Sequence, residues 1–434
     1  MTEERLAKRG RRAGRLWIVP PGLTAAGEPF EGHRVLEEVS GGLGVALWQV
    51  TRDVDLWSTT APEGRVRLFA SGQGRRRRER MAALGTLREL RLPLETIGRA
   101  LESRSRHAGA QVTRACEAVS RWAEKQGLPR TALAFAQSAA LATPEQPGPA
   151  YEVGQLARRN AEYRRAETWF RRALGLARRA RDWRYYGLAC LGLGTVNLER
   201  GDVRAARNWF LRALRIGRRH ALWDVRPQAM HDLFCIAVAH GLDDEAEGWA
   251  WRAFRAYGRR HPRLVDLASD VARFWLRHER YDEALRVFRA VLNHVDRVAE
   301  QRVVVASMAR AAAGLGDRRA FAAMWSETWR LVDEHPDHDA VAQALVALAE
   351  GAAVLGDPDR GQLAATHALR VATQHDEPEH RAAAEQVLGS LRTVRMGVST
   401  APPRPEPGEE RDVPDLAAEL VDALSVDLLA GVSI

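Results

Sequence analysis

The stretch GDVRAARNWFLRAL, residues 201–214, decides how the rest of the chain is read. A turn glycine, Gly201, is followed five positions later by a small residue, Ala206. Phe210 comes four further on, and then the small–large pair Ala213 and Leu214. The same frame fits AEYRRAETWFRRAL (161–174) at Ala166, Phe170, Ala173 and Leu174, and ERYDEALRVFRAVL (279–292) at Tyr281, Ala284, Phe288, Val291 and Leu292. Looser copies are anchored at Ala132, Ala246, Phe321 and Gly361, so the seven anchors stand 34, 40, 40, 38, 37 and 40 residues apart. Upstream of each lies a second apolar helical segment, such as CLGLGTVNLERGD (190–202) with Leu193 and Gly194. A helix pair cannot bury its apolar face alone, so such units must stack on one another.

These residues resemble the tetratricopeptide family, whose helix pair carries Leu-Gly in its first helix and Tyr-x-x-Ala-x-x-x-Phe-x-x-Ala-Leu in its second. The second, third and fifth units match best, and the resemblance covers roughly residues 113–380. It implies an all-α fold, a right-handed α-solenoid of about seven helix pairs. Small anchors let the paired helices approach, the phenylalanines fill the gap to the next unit, and Gly201, Gly241, Gly316 and Gly356 end first helices in the left-handed conformation. It also implies that a peptide lies along side chains of the first helices. Carried over by frame, these are Arg121 and Lys125 in unit one, Tyr151, Gln155, Arg158 and Arg159 in unit two, Thr195 and Glu199 in unit three, and Arg273 and Arg277 in unit five.

The flanks differ from the array in charge. Residues 1–110 hold twenty basic and thirteen acidic side chains and are expected to form a small helical domain with an irregular leader. Leu43, Leu47, Val50, Val54 and Trp57 recur at helical spacing there. Met81, Leu84 and Leu87 form a second face, and Leu94, Ile97 and Leu101 a third. The array is expected over 111–396, closed by a capping helix at 377–395. Residues 397–434 form a third segment with eight acidic and two basic side chains. In it a proline-rich, flexible linker (399–414) leads to an amphipathic helix with Leu416, Leu420, Val421, Leu424 and Leu428 on one stripe.

Positive charge concentrates between Arg158 and Arg219, where seventeen arginines meet five carboxylates. The pairs Arg164/Arg165, Arg171/Arg172, Arg178/Arg179 and Arg218/Arg219 are expected to line one side of second helices. Such a patch suits an acidic peptide, nucleic-acid phosphates, or the acidic tail of the same chain. Sixty-three of the 65 basic residues are arginine along the whole chain, a bias that also fits a GC-rich genome.

Chemistry-bearing motifs are few. The chain has no phosphate-binding Gly-x-x-x-x-Gly-Lys loop, no Gly-x-Ser-x-Gly elbow and no His-Glu-x-x-His helix. The histidine clusters 335–339 and 375–380 read as solvated inter-unit loops, and Cys116 and Cys190 as core residues. The three cysteines, with no Cys-x-x-Cys pair, suit a reducing compartment. The apolar run Leu16–Val19 is too short for a secretory signal, and the longest uncharged stretch, Tyr185–Leu198, is 14 residues, too short to span a bilayer. Together these lead to a cytoplasmic, bacterial-type, non-enzymatic scaffold that binds a protein or peptide, with no cofactor, no metal and no membrane contact. The alternative is a transcriptional regulator in which Leu94–Leu101, a turn at Ser103–Ser105 and a reading helix from His107 form a helix-turn-helix beside the sensor array.

Overall fold

The computed structural model describes residues 32–69, 88–103, 105, 107–335, 340–395 and 415–425. The leader, the Met81–Leu87 face, the 399–414 linker, His338 and Leu428 lie outside the described residues. Every regular element among the described residues is helical, and consecutive helices pack as pairs. No helix among them is long and apolar enough to cross a membrane. The chain divides into two compact units, 1–233 and 234–434.

Unit one opens with α1 (Val35–Glu38), α2 (Gly41–Thr59), α3 (Pro62–Leu68) and α4 (Arg88–Glu102). Three pairs follow: α5 (Ala108–Lys125) with α6 (Pro129–Ala142), α7 (Pro147–Arg159) with α8 (Tyr163–Ala180), and α9 (Trp183–Glu199) with α10 (Val203–Arg219). The unit boundary falls inside α11 (Val225–Ala239). Unit two continues with α12 (Asp243–Tyr257) and the pairs α13 (Leu264–Arg277) with α14 (Tyr281–Leu292), α15 (Val298–Gly314) with α16 (Arg318–Glu334), and α17 (Val341–Val354) with α18 (Pro358–Gln374). It ends with α19 (Pro378–Arg395) and α20 (Leu416–Ser425).

All seven expected anchors are buried, each on the second helix of its pair. The aromatic residues of the same helices often meet glycines across the interface. The Phe170 ring lies between α7 and α9, where a Cβ added at Gly154 or Gly192 would fall 2.7 or 2.5 Å from it. Gly194 receives Phe210, Gly351 receives Phe321, and Gly361 receives Leu391 of α19 in the same way. The paired glycine and aromatic therefore set the helix spacing, because a close-packed interior leaves no room for an extra methyl group.

The turns are equally uniform. Every first helix from α5 to α17 ends with a backbone bond of 2.8–3.0 Å closing a six-residue loop, for example Asp202 N–H to Asn197 O. The residue before that donor has positive φ in all seven. It is glycine at 127, 201, 241, 316 and 356, but Ala161 (φ 57°) and Glu279 (φ 59°) occupy the other two. Aspartates then start the next helix. Asp182, Asp202, Asp317 and Asp357 each accept a hydrogen bond, at 2.9–3.1 Å, from the backbone N–H three residues on.

The N-terminal helices share a continuous apolar core with the first pairs, through Val35, Leu47, Val54 and Trp57 together with Leu94, Ile97 and Leu101. α6 has no capping side chain of its own. Glu38 supplies one from α1, accepting the N–H groups of Arg130 and Thr131 at 2.8 Å each. In unit two, Arg302 is fully buried. Its Nε donates to Leu331 O at 3.1 Å and its Nη2 to His335 O at 2.9 Å, satisfying carbonyls at the C-terminal end of α16.

The acidic tail helix forms from Leu416 to Ser425, as its stripe of leucines predicts, but its seat differs from the expected one. It packs on α14 and α13 of unit two and bonds to Arg259, Arg286 and His294, not to the arginine-rich 158–219 segment. Its leucines bury themselves on an apolar helix surface, which a purely charged patch does not offer.

Candidate peptide-binding grooves

A groove of about 790 Å³ opens on the first-helix side of unit one. α5 presents Arg114, Glu117, Arg121 and Glu124, which its 3.6-residue period places on one face. Ala136 and Ala139 of α6 form the floor. The start of α7, with Pro147, Gly148, Pro149 and Glu152, forms the opposite wall, and Asp182 and Tyr185 close one end. Gly148 is needed where it stands, because a Cβ there would meet the Tyr185 hydroxyl at 2.8 Å. Tyr185 packs on Tyr151, with ring centroids 5.9 Å apart.

The electrostatics of this groove mix both signs. Glu124 pairs with Arg159 of α7, and Arg158 Nη1 bonds to Glu199 of α9 at 2.6 Å, so ion pairs link successive first helices. Glu117 and Glu152 make no ion pair among the described residues. Although the Glu152 carboxylate is reached by solvent, crowding by the walls raises its pKa above the ordinary value, Arg159 opposes this, and Glu117 adds to it. Desolvation likewise raises Glu117 against the pull of Arg121 and Arg114, and raises Tyr185, whose phenol therefore stays a donor. The serine and threonine hydroxyls of the groove are committed to the backbone: Ser120 donates to Ala132 O at 2.8 Å and Thr113 to Ala139 O at 3.0 Å.

Unit two holds a second groove of about 400 Å³, lined by first helices and α19. Arg273 and Arg277 of α13 face it together with Asp270, Arg310, Ser307 and Glu350. Arg310 Nη1 lies 2.5 Å from the Glu350 carboxylate. Burial raises the pKa of Glu350, while Arg310 and Arg277 pull it back. Arg273 pairs with Asp270 one turn away.

The inferred inner residues thus divide. Arg121 lines the first groove, and Arg273 and Arg277 line the second. Tyr151, Gln155, Arg158 and Glu199 form a connected side-chain run, Gln155 Nε2 donating to the Tyr151 hydroxyl at 2.5 Å. Arg159 is tied to Glu124, and Thr195 Oγ1 bonds back to Leu191 O at 3.1 Å within α9. Lys125 is exposed in the last turn of α5 and does not line the groove. Glu117, Glu152, Asp182 and Tyr185 were missed by the frame. The spacing Arg114, Glu117, Arg121 and Glu124 was the available signal for the α5 face.

The expected arginine pairs do not line one side of the second helices. Neighbouring residues on a helix point about 100° apart, so Arg164 and Arg171 are exposed while Arg165 turns to Glu162 (2.5 Å) and Arg172 is buried. The Arg172 guanidinium lies 5.6 Å from the Trp169 ring centre and reaches Pro144 O at 3.4 Å, and desolvation lowers its pKa, with Glu145 opposing. Arg178, Arg179, Arg218 and Arg219 are exposed in the last turns of α8 and α10, where cations complement the helix dipole. Trp169 is a core residue, and the half-buried Trp209 carries Arg212 at 5.3 Å from its ring centre. Cys116 and Cys190 are core residues too. Burial pushes the Cys190 thiol to about 12 and Cys116 higher still, so neither ionises near neutral pH.

The helix-turn-helix reading puts its reading helix at α5. That helix is the first of pair one, with Val112, Cys116, Val119 and Ala123 buried between its neighbours. Its open face alternates Glu117 and Glu124 with arginines, and carboxylates there repel a phosphate backbone.

No protein-family model and no curated protein matches the chain. Among solved structures it is similar to a Rap protein complexed with competence and sporulation factor, at 12% identity and a TM-score of 0.43 over 81% of this chain and all of that one. It is also similar to BtubC from P. vanneervenii, at 16% identity and a TM-score of 0.39 over 53% of this chain and 94% of that one. The TPR2AB domain of yeast Sti1 in complex with pHSP90 follows at 11% and 0.25, over 65% and 99%.

Proposed function

We propose that the chain is a non-enzymatic scaffold that binds a peptide segment of a partner protein in the unit-one groove. The observation that carries this is the juxtaposition of Glu117 and Glu152, two carboxylates from different helices that make no ion pair among the described residues, in an open groove of about 790 Å³ with arginines along its wall. An extended segment that brings a lysine or arginine to these carboxylates and a polar or acidic group to Arg114 and Arg121 matches the wall chemistry. Engagement of Ser120 and Thr113 with backbone carbonyls, and the high thiol pKa of Cys116, leave the site without a ready nucleophile. Cytoplasmic residence remains part of the same proposal.

A peptide array probed with the full chain and with Glu117→Lys/Glu152→Lys tests the reading. Peptides that bind the native chain are expected to carry a basic residue and to lose at least tenfold in affinity to the variant. Equal binding by both chains overturns the groove assignment. DNA contact through the exposed arginines predicts instead a complex whose affinity falls steeply with salt and is unaffected by the double substitution.

A further inference from the structure

The seat of α20 on unit two reads as a binding site in its own right. A ten-residue helix is marginal in water by itself, so α20 owes its helical form to what it rests on. Leu416, Ala417, Leu420, Ala423 and Leu424 are all buried there, against α14 and α13. The polar rim fixes both position and polarity. Arg259 holds Glu419 at 2.8 Å and also Asp422 one turn later, and Arg286 reaches Asp415 at 3.3 Å at the start of the helix. His294 Nε2 donates to Leu424 O at 2.6 Å at its end. Cations therefore meet the acidic flank, and a donor meets the C-terminal carbonyls, as a helix docked in this one direction requires.

We infer that this α13–α14 surface is a docking site for an acidic amphipathic helix, that α20 is its resident ligand, and that a helix of the same pattern on a partner protein exchanges with it. The pattern is Leu416, Glu419, Leu420, Asp422, Ala423 and Leu424, with apolar residues at helical spacing and carboxylates along one edge. Exchange is favoured by the way the resident is held. Its ion pairs are solvent-exposed on at least one side, and such pairs contribute little each. The nineteen residues between Arg395 and Asp415 keep the tail at an effective concentration of order mM, which sets the level a competing helix must overcome. α14 is a second helix of its pair, whereas the unit-two groove is lined by first helices and α19. The proposed peptide groove lies in unit one, apart from this seat, so this inference stands without the peptide-groove reading.

The probe is a fluorescein-labelled peptide of residues 412–429, added to the full chain and followed by anisotropy. The native chain, with its seat filled in cis, is expected to bind it weakly. Asp415→Lys/Glu419→Arg/Asp422→Arg, which ejects the resident without touching the seat, is expected to bind it at least tenfold more tightly. Adding Arg259→Glu and Arg286→Glu to that variant is expected to abolish probe binding. Equal binding to native and tail-reversed chains, no binding to either, or binding indifferent to Arg259 and Arg286 each overturns the inference. If charge reversal lowers the helical signal of the array, Leu420→Pro, confined to the tail, ejects the resident instead, with the same expected outcomes.

Discussion

Ala161 and Gly201 occupy the same position in successive repeats, one residue before the donor that closes the first helix, and both have positive φ. An L-residue pays about 1–2 kcal/mol for that conformation, and glycine's larger unfolded-state entropy offsets part of the difference. Ala161→Gly is therefore expected to stabilise unit one by about 0.5–1 kcal/mol, and Gly201→Ala to destabilise it by about 1 kcal/mol, both read from urea unfolding midpoints. Glu152 makes the opposite kind of contribution. Its folded pKa lies above the ordinary 4.5, so the folded chain holds a proton that the unfolded chain releases, and stability falls as pH rises from that value through the raised one. Glu152→Gln removes this loss. It is expected to raise the melting temperature at pH 7 by an amount worth less than about 1 kcal/mol, since the group is solvent-accessible. The gain should fade on acidification through the raised carboxylate range. A gain that persists unchanged below pH 4 points to packing as its source.

At the scale of elements, aromatic knobs on second helices are matched to glycines on first helices, Phe210 to Gly194, Phe321 to Gly351 and Phe170 to two of them. Phe170 is wedged between Gly154 and Gly192, and neither first helix can retreat without opening the interface it shares with its own partner. Gly192→Ala is expected to cost about 1–3 kcal/mol by overpacking, although alanine is the better helix former. Ala substitution at Gly248 of α12, where a Cβ meets nothing within 4 Å, serves as the control and should be neutral or stabilising. Comparing the two by thermal unfolding separates helix propensity from contact, and equal effects would remove the knob-and-glycine account of the spacing.

The whole molecule gains stability from neighbour to neighbour. Leu391 of α19 covers Gly361 of α18, and Ala384 and Val387 are buried with it in the same core. Leu391→Asp is expected to uncover that face and to lower hydrogen-exchange protection in α17 and α18. Amides of unit one should keep their rates, because each repeat contacts only its neighbours. A uniform loss of protection across both units would show instead that the chain unfolds as one cooperative body.

Helix pairs, turns and anchors were legible in the sequence because their determinants are local. A glycine at a helix end, an aspartate that opens the next helix, and a small residue five positions after the turn act within one repeat, so periodicity alone exposes them. Arg172 shows the limit. It reads as half of a surface pair with Arg171, yet one residue of helical rotation carries it over Trp169 into the interior. The facing carboxylates of the groove come from α5 and α7, and no spacing along the chain foretells that Glu117 and Glu152 share a cavity. Charge alone matched the acidic tail to the densest arginine segment. The tertiary structure seats it on α14, because burial of Leu416, Leu420 and Leu424 needs an apolar helix surface, with Arg259, Arg286 and His294 only at its rim. Local chemistry thus determined what the elements are, and only their packing decided which side chains meet.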